Sequence, residues 1–329
     1  MLQSKCNRAV ICILILLAAS CTQAPPPQPL RVGFNPWPGY EFIYLAKVKG
    51  FYEAQGVNVK LVELNSLGDV RRAFERGQID IMGSSVVELL VAAETTGRPI
   101  NAILVSDSSN GADILLAKND VPDVAALKGK KIGMESATVD VLNVSIALNS
   151  AQLTLKDVIP VYGAQDDLVA SFEAGEISAL QTYAPHTAKF LADSHYKRLF
   201  DTSKVPGQII DVLSVDATLL TTRSDDVRKF IKAYFQAVAA YKKAPEEGNA
   251  IMAARERISA AEFSAAIGEL KLMTQQDQAT YFGEKALGEE LLTRSAESLV
   301  AAGVLKRIPN AKAFFNPTIN GAALGEQLP

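Results

Sequence analysis

Apolar positions recur along this chain in two alternating forms, short runs of strand character and longer stretches with helical spacing. Arg31-Val-Gly-Phe34 is the first short run. It breaks at Pro36-Trp37-Pro38-Gly39, after which Phe42 to Lys49 has helical periodicity ended by Gly50. Val57 to Val62 alternates apolar and polar, the period of a strand with one solvated side. Asp69 to Arg76 predicts a helix closed by Gly77, and Ile79 to Met82 a buried strand. Ser85-Val-Val-Glu88 has capping-box spacing and opens a helix to Thr96. Gly97 stops that helix and Ile100 to Val105 form the next strand. Strands alternating with helices predict a parallel sheet.

The same grammar restarts near Val121. Lys130 to Met134 is a strand followed by a helix through Leu148, and Val158 to Val161 a strand followed by a helix from Asp166 to Glu173. Ile177 to Leu180 leads through Thr182 to Pro185 into a helix reaching Asp193, with Pro185 suited to its first turn. Beyond Gln208 to Val215 the periodicity becomes helical, over Asp225–Lys243, Ile251–Arg257, Ala260–Leu270 and Glu289–Ala302. The pattern predicts two α/β lobes, 30–117 with 214–329 and 118–213, the helical tail packing on the first. Crossovers near 114–122 and 205–213 would form the hinge.

The first residues follow a different pattern. Lys5 and Arg8 precede an apolar stretch, Val10 to Ala19, that falls short of the roughly 20 residues needed to span a bilayer. Leu17-Ala-Ala-Ser-Cys21 is similar to a bacterial lipobox, with Cys21 as the lipidated residue, and the proline-rich 22–29 reads as a tether. An exported, membrane-anchored protein is expected. Cys6, Cys12 and Cys21 are the chain's three cysteines, so the domain beyond the tether has no thiol for a disulfide, nucleophile or metal site. At 48% hydrophobic composition the chain can build a core without one. The net charge is −3, and loss of Lys5 and Arg8 takes it to −5, with no basic run to attract nucleic acid.

Several segments in order carry a family resemblance. They are Val32-Gly-Phe34 with Tyr44-Leu-Ala46, Gly50-Phe-Tyr52, Gly56-Val57, Gly77-Gln-Ile-Asp80, Ser106-Asp107 through Gly111-Ala-Asp113, Leu127 to Gly133, and Ala174-Gly-Glu176. Their order and spacing over roughly 30–220 resemble the substrate-binding proteins of ABC importers that handle nitrate, sulfonates, taurine and thiamine-precursor pyrimidines. The resemblance implies a type II periplasmic-binding-protein fold, capture of a small molecule between two lobes by hinge closure, and delivery to a permease driven by an ATPase subunit. It implies a monomer at the periplasmic face, with no cofactor and no metal.

In that architecture five strand-to-helix turns face the cleft: Asn35–Glu41, Gly83–Val86, Ser106–Asp113, Glu135–Asn143 and Gln181–His186. The candidate ligand-binding residues are Trp37, Tyr40, Glu41, Ser84, Ser85, Asp107, Asn110, Asp113, Ser136, Thr138, Asn143, Thr182 and Tyr183. Helix N-termini suit oxyanions, but these turns hold no Lys or Arg and several carboxylates, Asp140 among them. An amine-bearing or heteroaromatic molecule fits better, with Trp37, Tyr40 and Tyr183 as stacking or cation–π surfaces.

An enzyme is not expected. His186 and His195 are the only histidines, and the chain has no Gly-x-Ser-x-Gly elbow, His-Glu-x-x-His motif or Walker lysine spacing. A ligand sensor reporting to a membrane receptor or cyclase would use the same cleft. A structural envelope lipoprotein would bind no small molecule.

Overall fold

The computed structural model describes residues 28–283 and 287–315; the leader, Cys21 and the tether up to residue 27 lie outside them. The first unit runs β1 (Leu30–Phe34), α1 (Glu41–Val48), α2 (Phe51–Gln55), β2 (Val59–Glu63), α3 (Leu67–Glu75), β3 (Ile81–Ser85), α4 (Val86–Thr96) and β4 (Ile100–Ser109). Local chemistry sets these ends. Ser66 accepts from the Asp69 N–H at the start of α3. Ser85 and Glu88 form the expected capping box on α4, and Gly97 closes that helix at a φ of 64°.

The second unit comprises β5 (Ile114–Lys118), β6 (Lys131–Met134), α5 (Val139–Asn149), β7 (Ile159–Tyr162), α6 (Gln165–Glu173), β8 (Ala179–Thr182), α7 (Thr187–Leu191) and β9 (Tyr196–Asp201). The chain then returns through β10 (Ile210–Asp216), α8 (Leu219–Thr222), α9 (Ser224–Lys243), α10 (Pro245–Glu256), α11 (Ala260–Gly268), β11 (Leu270–Leu272), α12 (Gln278–Phe282) and α13 (Leu287–Ala301). The six-stranded sheet has the order β11-β4-β10-β3-β1-β2 and the five-stranded one β7-β6-β8-β5-β9.

Neither sheet is purely parallel. β10 runs antiparallel to β3 and β4, and β5 antiparallel to β8 and β9. Both are fed by a crossover from the other lobe. They therefore start at the interlobe side and run away from it, opposite to the strands that end there. Their sheet membership also moves the crossovers. The linking segments are 110–113 and 202–209, not the 114–122 and 205–213 expected, because β5 pairs in the second sheet and β10 in the first. β4 runs on to Ser109, since β10 and β11 pair on either side of its end. Pro185 lies ahead of α7 instead of in its first turn, and β11 is an edge strand the periodicity had merged into a helix.

The tail covers the first lobe. Tyr52 of α2 stacks on Phe230 of α9 with ring centroids 5.5 Å apart, and Phe42 meets Tyr234 edge-on. Full burial of a side chain such as Phe230 is worth about 2 kcal/mol. The main core also takes in Val139, Leu142 and Tyr183 of the second lobe. Apolar packing is thus continuous across the interface between lobes. Two smaller cores fill the second lobe.

Candidate functional site

The Pro36-Trp-Pro-Gly39 turn carries the chain from the end of β1 to the interlobe face. Gly39 has no room for a side chain, since a Cβ there would lie 1.9 Å from Asp107 Oδ2 and 2.9 Å from Trp37 Nε1. That closeness sets the site. Trp37 Nε1–H donates to Asp107 Oδ1 at 3.4 Å, Ser106 donates to Asp107 Oδ2 at 2.9 Å, and the Tyr40 hydroxyl donates to Asp211 Oδ1 at 2.6 Å. The Trp37 ring stands edge-on to Tyr183 of the second lobe, centroids 5.7 Å apart and planes at 83°. These aromatic walls close a cavity bounded by Asn35, Leu67, Asp113, Val139, Ile209 and Asp211 as well. It offers about 10 Å³ for water centres, room for one water.

Two buried carboxyl groups, Asp113 and Asp211, line this cavity, and four more that are buried, Glu88, Asp107, Glu135 and Asp140, act electrostatically on its lining tyrosines, Tyr40 and Tyr183. Burial pushes Asp107 up to about 6 and Asp113 up to about 7. Asp140 and Asp211 are raised well above the carboxylate range by burial, then by neighbouring charges, chiefly Glu135 and Asp107. Asp107 and Asp211 face each other across the β4–β10 ladder. Asp107 accepts from Trp37 and Ser106 there, and burial beside Asp107 raises Asp211 further. No Lys or Arg lines the cavity among the described residues. Arg72 of α3 is held by Asp69 at 2.7 Å. His186 lies 6.2 Å from the Tyr183 ring, and burial lowers its pKa.

Unsatisfied polar atoms concentrate in the same region. Asn35 Oδ1, Ser84 Oγ, Asp140 Oδ1, both ends of the Asn143 amide, Gln165 Oε1, Gln181 Nε2 and Thr182 Oγ1 are buried without a hydrogen-bond partner. Each such group costs about 1–3 kcal/mol when left unpaired. Of these, Asn35 lines the cavity itself. Among the described residues no group of three His, Cys, Asp or Glu is arranged to hold a metal ion.

The expected site residues divide. Trp37, Tyr40, Asp113 and Tyr183 line the cavity, Asp107 lies directly behind Trp37, and Asn143, Ser84 and Thr182 are buried with free polar atoms. Ser85 and Thr138 are spent as N-caps of α4 and α5. Three residues fall away from the cavity. Glu41 turns from it to form a two-point ion pair with Arg255, whose Nε donates at 2.5 Å. Asn110 is exposed, its N–H bonded to the Glu269 carbonyl, and Ser136 is exposed. In each case the turn is longer than its inward-facing part.

Sequence reasoning missed Leu67, Ile209 and Asp211, and placed Asn35 and Val139 in cleft-facing turns without singling them out. Asp211 had a signal, a lone charge inside the apolar run 208–215. Leu67 and Val139 are the first residues of α3 and α5, and nothing in their type marks them.

Fold and site together define a two-lobed α/β protein closed over an acidic, aromatic interlobe cavity. The NMT1/THI5 like family matches residues 37–248, and the chain belongs to that family. The 4-amino-5-hydroxymethyl-2-methylpyrimidine phosphate synthase of Saccharomyces cerevisiae is 30% identical over 104 residues, 31% of this chain and 30% of that protein. The match thus spans about a third of the curated relative's length. The aliphatic sulphonate binding protein SsuA of Escherichia coli has the same fold at a TM-score of 0.71, with 18% identity over 88% of this chain and 92% of that one. The alkanesulfonate-binding SsuA of Xanthomonas axonopodis pv. citri, bound to MOPS, gives 0.74 at 17% identity over 89% and 100%. The periplasmic-binding-protein fold is therefore as expected. The expectation that the chain is not an enzyme is corrected by its curated relatives, which carry a synthase name.

Proposed function

We propose that the chain is an extracytoplasmic solute-binding protein that closes its two lobes around a small organic cation or an amine-bearing heteroaromatic ring. In this reading it is anchored through Cys21 and hands the ligand to an ABC permease. One observation carries the ligand class: a cavity walled by Trp37, Tyr40 and Tyr183 has two buried carboxyl groups, Asp113 and Asp211, and no Lys or Arg in its lining. A cationic group there would gain from the carboxylates and from the aromatic faces. A 4-aminopyrimidine also fits, since its ring stacks and its amino edge donates to carboxylates. A sulfonate or nitrate would meet like charge.

Calorimetry on the purified chain, with aminopyrimidines and small amines against propanesulfonate and nitrate, tests this. Micromolar or tighter binding of the first group and none of the second is expected, with Trp37→Ala weakening the amine at least tenfold. Selective sulfonate binding by the unaltered protein would overturn it. The curated relatives favour a second reading, catalysis of pyrimidine formation. It is tested by incubating the chain with candidate precursors and searching for a new pyrimidine phosphate by mass spectrometry.

A further inference from the structure

Two cavity-lining residues, Leu67 and Val139, are the first residues of α3 and α5, helices of 9 and 11 residues on opposite lobes. Such N-termini present free N–H groups and a partial positive charge, a ready-made seat for an anion. Both seats are already taken, each by a carboxylate from the other lobe. Glu135, of the second lobe, accepts from the Gly68 N–H of α3 at 3.1 Å, and from the Tyr183 hydroxyl at 3.2 Å. Glu88, of the first lobe, accepts from the Val139 N–H of α5 at 2.8 Å while completing the cap of its own helix through the Ser85 N–H and hydroxyl. Both are 3% exposed or less.

We infer that Glu88 and Glu135 are specificity-determining residues that act by occupancy: the protein fills its own two anion seats on closing, and thereby refuses anionic solutes. The exchange is reciprocal, so closure and refusal are one event. An oxyanion at either helix end would displace a carboxylate that already holds the N–H groups. It would also sit beside the displaced charge. A neutral or cationic ligand leaves both contacts intact. The α3 seat is otherwise well suited to an anion. A Cβ on Gly68 would be 3.1 Å from both Arg72 Nη1 and Glu135 Oε2, so a guanidinium stands next to the seat that Glu135 covers.

The inference deepens the proposed function and is tested separately from it. The probes are 1-propanesulfonate and a 4-aminopyrimidine, titrated at low ionic strength into the full chain and into Glu135→Ala, Glu135→Gln and Glu88→Gln. Folding of each is checked by circular dichroism and melting. The unaltered chain is expected to give no measurable sulfonate binding. Glu135→Ala should gain it by at least tenfold over the detection limit, and Glu135→Gln by less, because the amide still reaches the Gly68 N–H. If folded variants bind sulfonate no better than the unaltered chain, or the unaltered chain binds it equally well, occupancy does not exclude anions. If the unaltered chain binds the aminopyrimidine and no variant gains sulfonate, the proposed function stands and this inference falls. Gain of sulfonate by the variants with no aminopyrimidine bound by any form has the opposite meaning.

Discussion

Asp211 shows how much one side chain decides here. Its carboxyl is raised well above the ordinary range by burial and by Asp107 and Asp113, against the Tyr40 hydroxyl, whose hydrogen bond lowers it. Asp211 faces a second buried carboxyl group, Asp107, across the β4–β10 ladder, and two such charges oppose each other. Asp211→Asn keeps a donor toward Asp107 and removes the second charge. The substitution is expected to raise the melting temperature at pH 8, where the second buried charge is most costly, while weakening a cationic ligand. Melting and calorimetry on the same sample check both. A loss of stability without loss of affinity would mean that Asp211 is structural only. In the sequence, Trp37, Tyr40 and Tyr183 were legible because aromatic residues at strand-to-helix turns are conspicuous. Glu88 was legible only as a cap. Its second contact, with Val139, depends on the other lobe's position, which no local pattern encodes.

At the scale of elements, the capping box at Ser85 and the glycine stop at Gly97 appeared where spacing put them, because both are local chemistry. β11 was missed for the opposite reason. Three residues after α11 become a strand only because the edge of β4 lies beside them. Glu41 was misassigned similarly. It sits in the first turn of α1, but Arg255 of α10 lies on the far side, stacked 4.7 Å over Phe34. Glu41 is wholly buried and Arg255 7% exposed. Removing one member of such a pair costs about 3–5 kcal/mol, so Arg255→Ala should lower stability by that order in urea denaturation, with the cavity side chains untouched. A variant as stable as the parent would show that Glu41 is neutralised some other way. The buried Glu256, raised well above its usual range by burial and by Glu41, is the nearby candidate.

For the whole molecule, the buried carboxyl groups set a pH dependence. Groups raised to about 6 and 7 hold protons in the fold that the unfolded chain has already released above pH 4. Stability therefore falls as pH rises through about 5 to 8. His186, lowered by burial, works against this below its ordinary value, but it is one group against several. Exposed pairs such as Asp225 with Lys229 matter only in acid. A higher melting temperature at pH 5.5 than at pH 8 is expected, with the difference shrinking when a cationic ligand is bound. A flat profile would mean that these carboxyl groups are solvated. The two-lobe plan was readable from the alternation of strand and helix. The antiparallel β5 and β10 were not, because direction within a sheet follows from which lobe the chain arrives from.

The closed cavity carries a kinetic consequence. With room for one water, it admits no ring until the lobes part, and parting breaks the Gly68–Glu135 and Val139–Glu88 contacts together. Association should therefore speed up with ligand concentration only to a ceiling, the frequency with which the lobes separate. Trp37 is the chain's single tryptophan and stands at the seam, so its fluorescence in a stopped-flow trace reads that frequency directly. A rate that climbs linearly to diffusion control would mean that the lobes stand open for most of the time in solution.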